Sequence, residues 1–599
     1  MTTQSMLRRT VAAALLLSLA ASVLVAQQKC PALESGPLPL KYRGGATVPL
    51  ITPCDLMTRL YVYSDDSMLG RRVGTADNLR ATAYLEREVR RMGLQPAGDS
   101  GGYFQYLPVF ERRIDSSSTI SVAGQVFRFG TDFSAVAQAA RSLAETGAVF
   151  GGTANDTTNV LPPDAVRGKL LVLRAVSGGG FGGRGRGAPA SAALQAYQQM
   201  TAAAAAVLLI APSPSAGVSV RPVGGGGFAS RGGPSGAFED PAQPSRGGFG
   251  GTGSLATIQE GMARAIFGAA LDQLPKGAEG KPVAVDLKVM RSPLPTRNVV
   301  AIFPGTDPKL RDQYVAIGAH SDHTGYILGG AVEHDSLKAY DLVALTEGAD
   351  TRPRPVATEA QWIRIKAVRD SLRQLYPARP DSIQNGADDD GSGSVSLLEI
   401  AEAFAAGKLK PKRSVLFVWH TGEEAGLWGS QWFTNHPTVP RDSIVAQLNL
   451  DMVGRGEASD VTGKNKAGVE LHGAPNYVQL VGSRRLSTEL GDLAEQVNAQ
   501  RAQPMQVDYS MDADGHPQRI YCRSDHYNYA RYGIPIIFFT TGGHADYHQN
   551  SDEAQYIQYR HMALIDQLVL DIALQVANLD HRIVVDKAKP AAPFAGCVQ

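Results

Sequence analysis

Six residues in the second half of the chain have the types that metal-assisted hydrolysis requires. His320 in AIGAHSDHTG, Asp389 in GADDDGSG, Glu424 in WHTGEEAG, Asp451 in LNLDMVG and His548 in DYHQNSDE stand just past strand-like runs. Two histidines and three carboxylates suffice for a pair of zinc ions if one carboxylate bridges them. Glu423 stands beside Glu424 and is free to act as a base. Buried together without cations, Asp389, Glu424 and Asp451 would be prohibitively costly. Two divalent ions offset that cost and lower the pKa of a shared water towards neutrality. Zinc suits the mixed His and carboxylate set, and manganese or cobalt would also fit.

The elements around these residues predict how they meet. NVVAIFPG, YVAIGAH, SVLFVWH, AQLNLDM and PIIFFTTG read as strands. VSLLEIAEAFAAG, LWGSQWFTNH and NYVQLVGSRRLSTELGDLAEQVNAQ read as helices. Alternation of this kind predicts an α/β fold, a sheet flanked by helices. Open α/β sheets bind ligands beyond the carboxyl ends of their strands, where His320, Glu423, Glu424, Asp451 and His548 fall. Asp388 and Asp390 read as a solvated acidic turn around Asp389, and His323, His420, His526 and His544 as residues that line the site or satisfy local hydrogen bonds.

With 599 residues the chain should form two or three domains, and 43% apolar with 19% charged residues suits a substantial core. A net charge of +1 gives no reason to expect nucleic acid as a partner. Arg8 and Arg9 precede an apolar run from Val11 to Ala26, shorter than the roughly 20 residues that span a bilayer. Residues 1–26 therefore read as a secretory signal, the mature protein as periplasmic or extracellular, without a stable membrane anchor. Cys30, Cys54, Cys522 and Cys597 allow three pairings, of which Cys30–Cys54 with Cys522–Cys597 is the simplest.

A Pro-rich leader covers 27–55, and 56–135 opens with the amphipathic helix ADNLRATAYLEREVRRMGL. Composition changes over 136–292, where GKLLVLRAV and ALQAYQQMTAAAAAVLLIAP read as a strand and a helix running into a strand. Gly-rich segments near 178–187 and 224–253 read as flexible surface loops. The catalytic half runs over 293–580, and 581–599 is a tail. A long segment, 324–385, separates His320 from Asp389 and contains the helical ATEAQWIRIKAVRDSLRQLYP, read as a wall or lid over the cleft.

HSD (320–322), GADDDGSG, TGEEAGLWGS, NLDMVG, SDH (524–526) and YH (547–548), in this order, resemble the zinc exopeptidases of metallopeptidase clan MH. That clan contains secreted bacterial leucyl aminopeptidases, glutamate carboxypeptidase II and the glutaminyl cyclases. The resemblance implies a mixed sheet flanked by helices, of the phosphorylase-hydrolase kind, interrupted over 136–292 by a β-rich protease-associated (PA) domain. It implies that His320 and Asp451 bind one zinc, Glu424 and His548 the other, and that Asp389 bridges them. Glu423 would be the general base for a metal-bridging hydroxide, and Tyr547 would polarise the substrate carbonyl. Asp322 would orient His320, and Asp525 would support the site or touch substrate. The implied activity is removal of N-terminal residues from peptides. A carboxypeptidase or dipeptidase, with Arg455 or Arg523 receiving a substrate carboxylate, is the chief alternative, and a non-catalytic binding protein the other.

Overall fold

A computed structural model describes residues 30–34, 36–135, 140–175, 192–211, 236–242, 255–327, 330–351, 355–456, 473–589 and 597–599. The signal segment and the 178–187 loop lie outside them, and of 224–253 only 236–242 is described. The chain divides into two compact units, Met1–Leu107 with Pro295–Gln599, and Pro108–Leu294.

The first unit is built on a nine-stranded sheet. Its strands are β1 (Gln95–Pro96), β2 (Phe104–Tyr106), β3 (Arg297–Phe303), β4 (Tyr314–His320), β5 (Ser414–His420), β6 (Ile444–Leu450), β7 (Tyr477–Val481), β8 (Gln506–Asp508) and β9 (Ile536–Thr540). They lie in the order β1-β3-β5-β4-β6-β9-β7-β8, with β2 also paired to β3. The central strands β5, β4, β6 and β9 are mutually parallel, whereas β3 and β7 run antiparallel to their inner neighbours. This is the mixed α/β sheet that the alternating elements predict.

Both faces of the central strands are buried, so their sequences are continuous apolar runs whose alternate residues enter different cores. Val315, Ile317, Phe417, Trp419 and Leu448 pack on one face with helices α1 (Pro53–Tyr63), α2 (Ala76–Arg91), α3 (Gly393–Ala405) and α6 (Tyr559–Asn578). Ala316, Leu416, Val418 and Phe538 pack on the other with Phe433 of α4 (Trp428–Asn435).

One expected element differs. NYVQLVGSRRLSTELGDLAEQVNAQ is not one helix: Tyr477–Val481 is strand β7, and helix α5 covers only Thr488–Gln500. The Ser487 side chain accepts from Leu490 N at 3.0 Å and sets the helix start. The apolar YVQLV run is fully buried, as a strand within a covered sheet must be. The disulfides are Cys30–Cys54 and Cys522–Cys597.

The second unit is β-rich. An eight-stranded mixed sheet has Glu279–Leu287, Arg141–Thr153, Leu170–Arg174 and Ala206–Ile210 at its centre, and Ala192–Ala203 and Glu260–Phe267 are its longer helices among the described residues. Its cores gather around Phe133, Leu170, Leu208 and Ile266, and around Leu171, Leu173 and Met200. Residues 108–135, placed by composition with the peptidase half, pair into this unit: Thr119–Val122 lies antiparallel to Glu279–Leu287.

Candidate metal centre

The four parallel strands end on one edge, and the metal-ligating residue types collect there. His320 is the last residue of β4, Glu423 and Glu424 follow β5, Asp451 follows β6, and His548 lies beyond β9. Asp389 is delivered by the turn that leads into α3. Its carboxylate lies between the two histidines: Oδ1 is 3.1 Å from His320 Nε2 and Oδ2 is 2.9 Å from His548 Nε2. Asp451 Oδ1 is 3.6 Å from His320 Nε2, and Glu424 Oε1 is 2.9 Å from His548 Nε2. All five residues expected to hold metal therefore meet in two sets that share Asp389.

The turn that positions Asp389 is itself held by buried charge. Asp388 and Asp390 are fully buried, not solvated as their run of three acids suggested. Asp390 accepts the N–H groups of His320 at 2.9 Å, Gly393 at 2.9 Å and Met452 at 3.2 Å. Asp388 accepts from Gly454 N at 2.7 Å and pairs with His544 Nε2 at 3.0 Å. Asp552 accepts the N–H groups of Asp388 and Asp389, at 2.9 and 3.1 Å. Each flanking acid thus pins two strands' loops around the ligand. Acidic turns in solution have the same composition, so sequence alone does not separate the two.

Asp322 is arranged differently from expectation. His320 Nδ1 is 3.1 Å from the backbone carbonyl of Asp322, while the Asp322 carboxylate stays 3.7 Å away. Its Oδ1 instead accepts the N–H groups of Gly422 at 2.7 Å and Glu423 at 3.1 Å. Asp322 therefore fixes the loop that carries Glu423. Asp525 is buried 3.5 Å from His420 Nδ1 and contacts no ligand among the hydrogen bonds described. Its neighbour Ser524, the first residue of the SDH motif, donates to Asp451 Oδ2 at 2.6 Å and accepts from Asn449 at 3.0 Å. Tyr547 stacks on His548 with ring centroids 4.0 Å apart, and its hydroxyl accepts from Arg523 at 2.9 Å. Arg523 also pairs with Asp350 at 2.7 Å.

Of the remaining histidines, His420 faces Tyr529 OH at 3.0 Å and His526 faces Tyr521 O at 2.8 Å, both local polar partners. His323 is placed otherwise: its Nδ1 lies 2.8 Å from Glu424 Oε1, inside the ligand cluster. A separate buried group, His334, Asp381 and Glu553, has Arg379 paired with Glu553.

Burial pulls His548 down, yet Glu424 and Asp389 outweigh it and raise its pKa to about 10. Burial likewise opposes the charge on His320, but Asp390 and Asp451 hold it well above its usual range. Burial, reinforced by Asp451 and Glu424, pushes Glu423 well above the carboxylate range. Without metal, the histidines must take up protons to balance the acids. His320 Nε2, Asp389 Oδ2 and Glu424 Oε1 are buried with no hydrogen-bond partner. Buried polar atoms are rarely left so, and donors of these types converging within 4.8 Å of one another fit divalent ions.

Beside the cluster, a cavity of about 100 Å³ is lined by Glu423, Met452, Met511, Phe538 and Tyr547 among others. Glu347 and Asp350 of the 324–385 segment also line it, and Ala349 N donates to Tyr547 O at 3.0 Å. That segment therefore supplies part of the cavity wall.

The model of "Peptidase family M28" matches residues 298–573, which contain every residue of the cluster. Leucine aminopeptidase 1 of Uncinocarpus reesii is 30% identical over 227 residues, 36% of this chain and 51% of the relative. Leucine aminopeptidase 1 of Aspergillus fumigatus is 28% identical over 200 residues, 32% and 47% of the two chains. The chain thus spans about half the length of the curated relatives it matches. Among solved structures, an aminopeptidase from Aneurinibacillus sp. strain AM-1 aligns over 90% of this chain and 96% of its own, with 15% identity and a TM-score of 0.42. The segment that carries the ordered motifs and the sheet strands that gather them, 298–573, matches peptidase family M28.

Proposed function

We propose that this chain is an exported di-zinc aminopeptidase that removes N-terminal residues from peptides. The observation that carries the reading is Asp389, with one oxygen 3.1 Å from His320 Nε2 and the other 2.9 Å from His548 Nε2. In this reading His320 and Asp451 would hold one ion, Glu424 and His548 the other, and Asp389 would serve both. Bound ions would supply the charge that acidifies a water near neutral pH and offsets negative charge developing on the scissile carbonyl oxygen. Manganese or cobalt would satisfy the same donors.

Glu423 is the base in this reading. It lines the cavity, its backbone is clamped by Asp322, and its raised proton affinity suits a group that takes a proton and returns it to a leaving amine. Ions bound among its neighbours would lower that affinity. Tyr547, held by Arg523, is placed to donate its hydroxyl proton to a developing oxyanion.

The charges around the cavity favour an amino over a carboxyl terminus. With Asp389, Asp451 and His548 given to the ions, Glu347, Asp350 and Glu423 line it beside Arg523, which is already bound to Asp350 and Tyr547. Arg455, the other candidate for a substrate carboxylate, is buried against Asp546 at 2.9 Å. A surplus of acids attracts an ammonium and repels a carboxylate. Met452, Met511, Ile520 and Phe538 offer apolar surface to the first side chain. Two disulfides accord with export. The inserted unit is proposed to be a protease-associated domain.

The test is hydrolysis of aminoacyl amides with free and acetylated N-termini, before and after chelation and zinc restoration. The reading expects zinc-dependent cleavage confined to free N-termini. Cleavage of C-terminal acidic dipeptides alone would establish the carboxypeptidase reading instead.

A further inference from the structure

We propose that His323 is a protein ligand of the ion held by Glu424 and His548, so that the two ions have unequal donor sets. The inference rests on the two-ion reading above. It adds a nitrogen donor to one side: His323, Asp389, Glu424 and His548 against His320, Asp389 and Asp451.

The geometry is that of atoms converging on a common point. His323 Nδ1 lies 2.8 Å from Glu424 Oε1 and 3.7 Å from Asp389 Oδ2. The His323 and His548 rings meet edge to face, with centroids 5.5 Å apart and planes at 70°. All four donors lie within 4.8 Å of one another. His323 is fully buried, and neither of its ring nitrogens has a hydrogen-bond partner. Asp389 Oδ2 and Glu424 Oε1 are buried and unpartnered as well. Three orphaned polar atoms facing one another would be costly in a native interior, and a cation at their centre satisfies all three at once.

The surrounding chain makes room for the ring. Gly386, with φ +54°, lies so close to His323 that a Cβ there would stand 2.4 Å from the ring Cγ. A residue with a side chain at 386 would expel His323 from the cluster. His320 ends β4 and His323 lies three residues further on, so the end of one strand delivers one histidine to each ion.

The consequence is a division of labour. Two nitrogens and two carboxylates close a tetrahedral site, whereas three donors leave a position open. By donor count the open position then belongs to the His320–Asp451 side; Asp451 and Glu423 line the cavity, as does His548 of the other set, while His320, His323 and Glu424 do not. The closed site fills first and holds its ion more tightly.

The experiment uses the full chain loaded with cobalt. Metal content is measured, exchangeable imidazole N–H protons shifted by the paramagnetic ions are counted by NMR, and chelator competition gives both affinities, for wild type and His323→Asn. Wild type is expected to show signals from three histidines, and the variant from two, with the tighter affinity weakened at least 10-fold and the weaker one unchanged. A wild-type protein with two ions but signals from only His320 and His548 overturns the inference and leaves the two-ion reading standing. A wild-type protein that holds fewer than two ions overturns both. The wild-type spectrum decides even if the variant does not fold.

Discussion

Asp322 provides a sharp test of how the site is braced. The familiar role for such a carboxylate is to orient a metal-bound histidine, and its loss then weakens metal binding by about 10–100-fold. Here the His320 ring is 3.1 Å from the Asp322 backbone carbonyl, which no side-chain substitution removes. The carboxylate serves the loop of Glu423 instead, through Gly422 N at 2.7 Å and Glu423 N at 3.1 Å. Asp322→Ala orphans a buried N–H at Gly422 and a partly exposed one at Glu423. The first costs about 1–3 kcal/mol, and the second less. The loop escapes that cost by relaxing, which displaces Glu423. Asp322→Asn keeps an oxygen acceptor but loses its charge, halving the strength of each bond roughly. Steady-state kinetics on an aminoacyl amide, with zinc affinity measured by chelator competition, should therefore give a graded loss of kcat, wild type above Asn above Ala, the Ala variant down about 10-fold or more. Zinc affinity should change less than 10-fold. A loss of zinc affinity by 10–100-fold with kcat intact at saturating zinc would refute the assignment and return Asp322 to His320.

Three further outcomes follow from the same geometry. Glu423→Gln should keep its zinc, as read by metal analysis, and lose roughly 10²–10⁴-fold in kcat; a variant with near-native kcat would remove Glu423 as the base. Zinc uptake by the metal-free protein at pH 7 should release protons, because His548, raised to about 10, and His320, held well above its usual range, are protonated in the empty site. Apparent zinc affinity should accordingly fall as pH drops, since protons compete for the same nitrogens, and rise as pH climbs towards 10; calorimetry in buffers of different ionisation enthalpy checks it, and a pH-independent affinity would contradict it. Gly386→Ala should disturb the metal site without replacing any ligand, because its Cβ would meet the His323 ring and the Asp389 carbonyl; native zinc affinity in that variant would show that the turn relaxes freely.

Much of this site is legible in the sequence because parallel strands force it. A covered parallel strand is an uninterrupted apolar run, so the position where the run stops marks the functional edge of the sheet. His320, Glu423, Asp451 and His548 could be read as neighbours from that rule alone. Asp389, expected past a strand-like run, is instead delivered by the turn into α3, and its bridging place is what the resemblance implies. The supporting residues were hidden for a different reason. Asp388, Asp390 and Asp552 act on backbone N–H groups that no side-chain pattern records. Ser524 and His323 are common loop residues whose neighbours are distant in sequence. The YVQLV strand was absorbed into a helix because helical periodicity downstream of Ser487 extends backwards without a break in apolar content. The unit boundary at 108 was invisible because strand pairing across more than 150 residues, Thr119–Val122 with Glu279–Leu287, leaves no compositional trace.

The most direct test of the central claim is zinc content after dialysis against a weak chelator, for wild type, His320→Ala, His548→Ala and Asp389→Asn, with folding checked by circular dichroism. The account predicts two ions in wild type, one in His320→Ala, weakened retention of one in His548→Ala, and weakened retention of both in Asp389→Asn, since among the described residues its carboxylate reaches both histidines. One ion in wild type, or loss of only one ion from Asp389→Asn with the other held at native affinity, would contradict it.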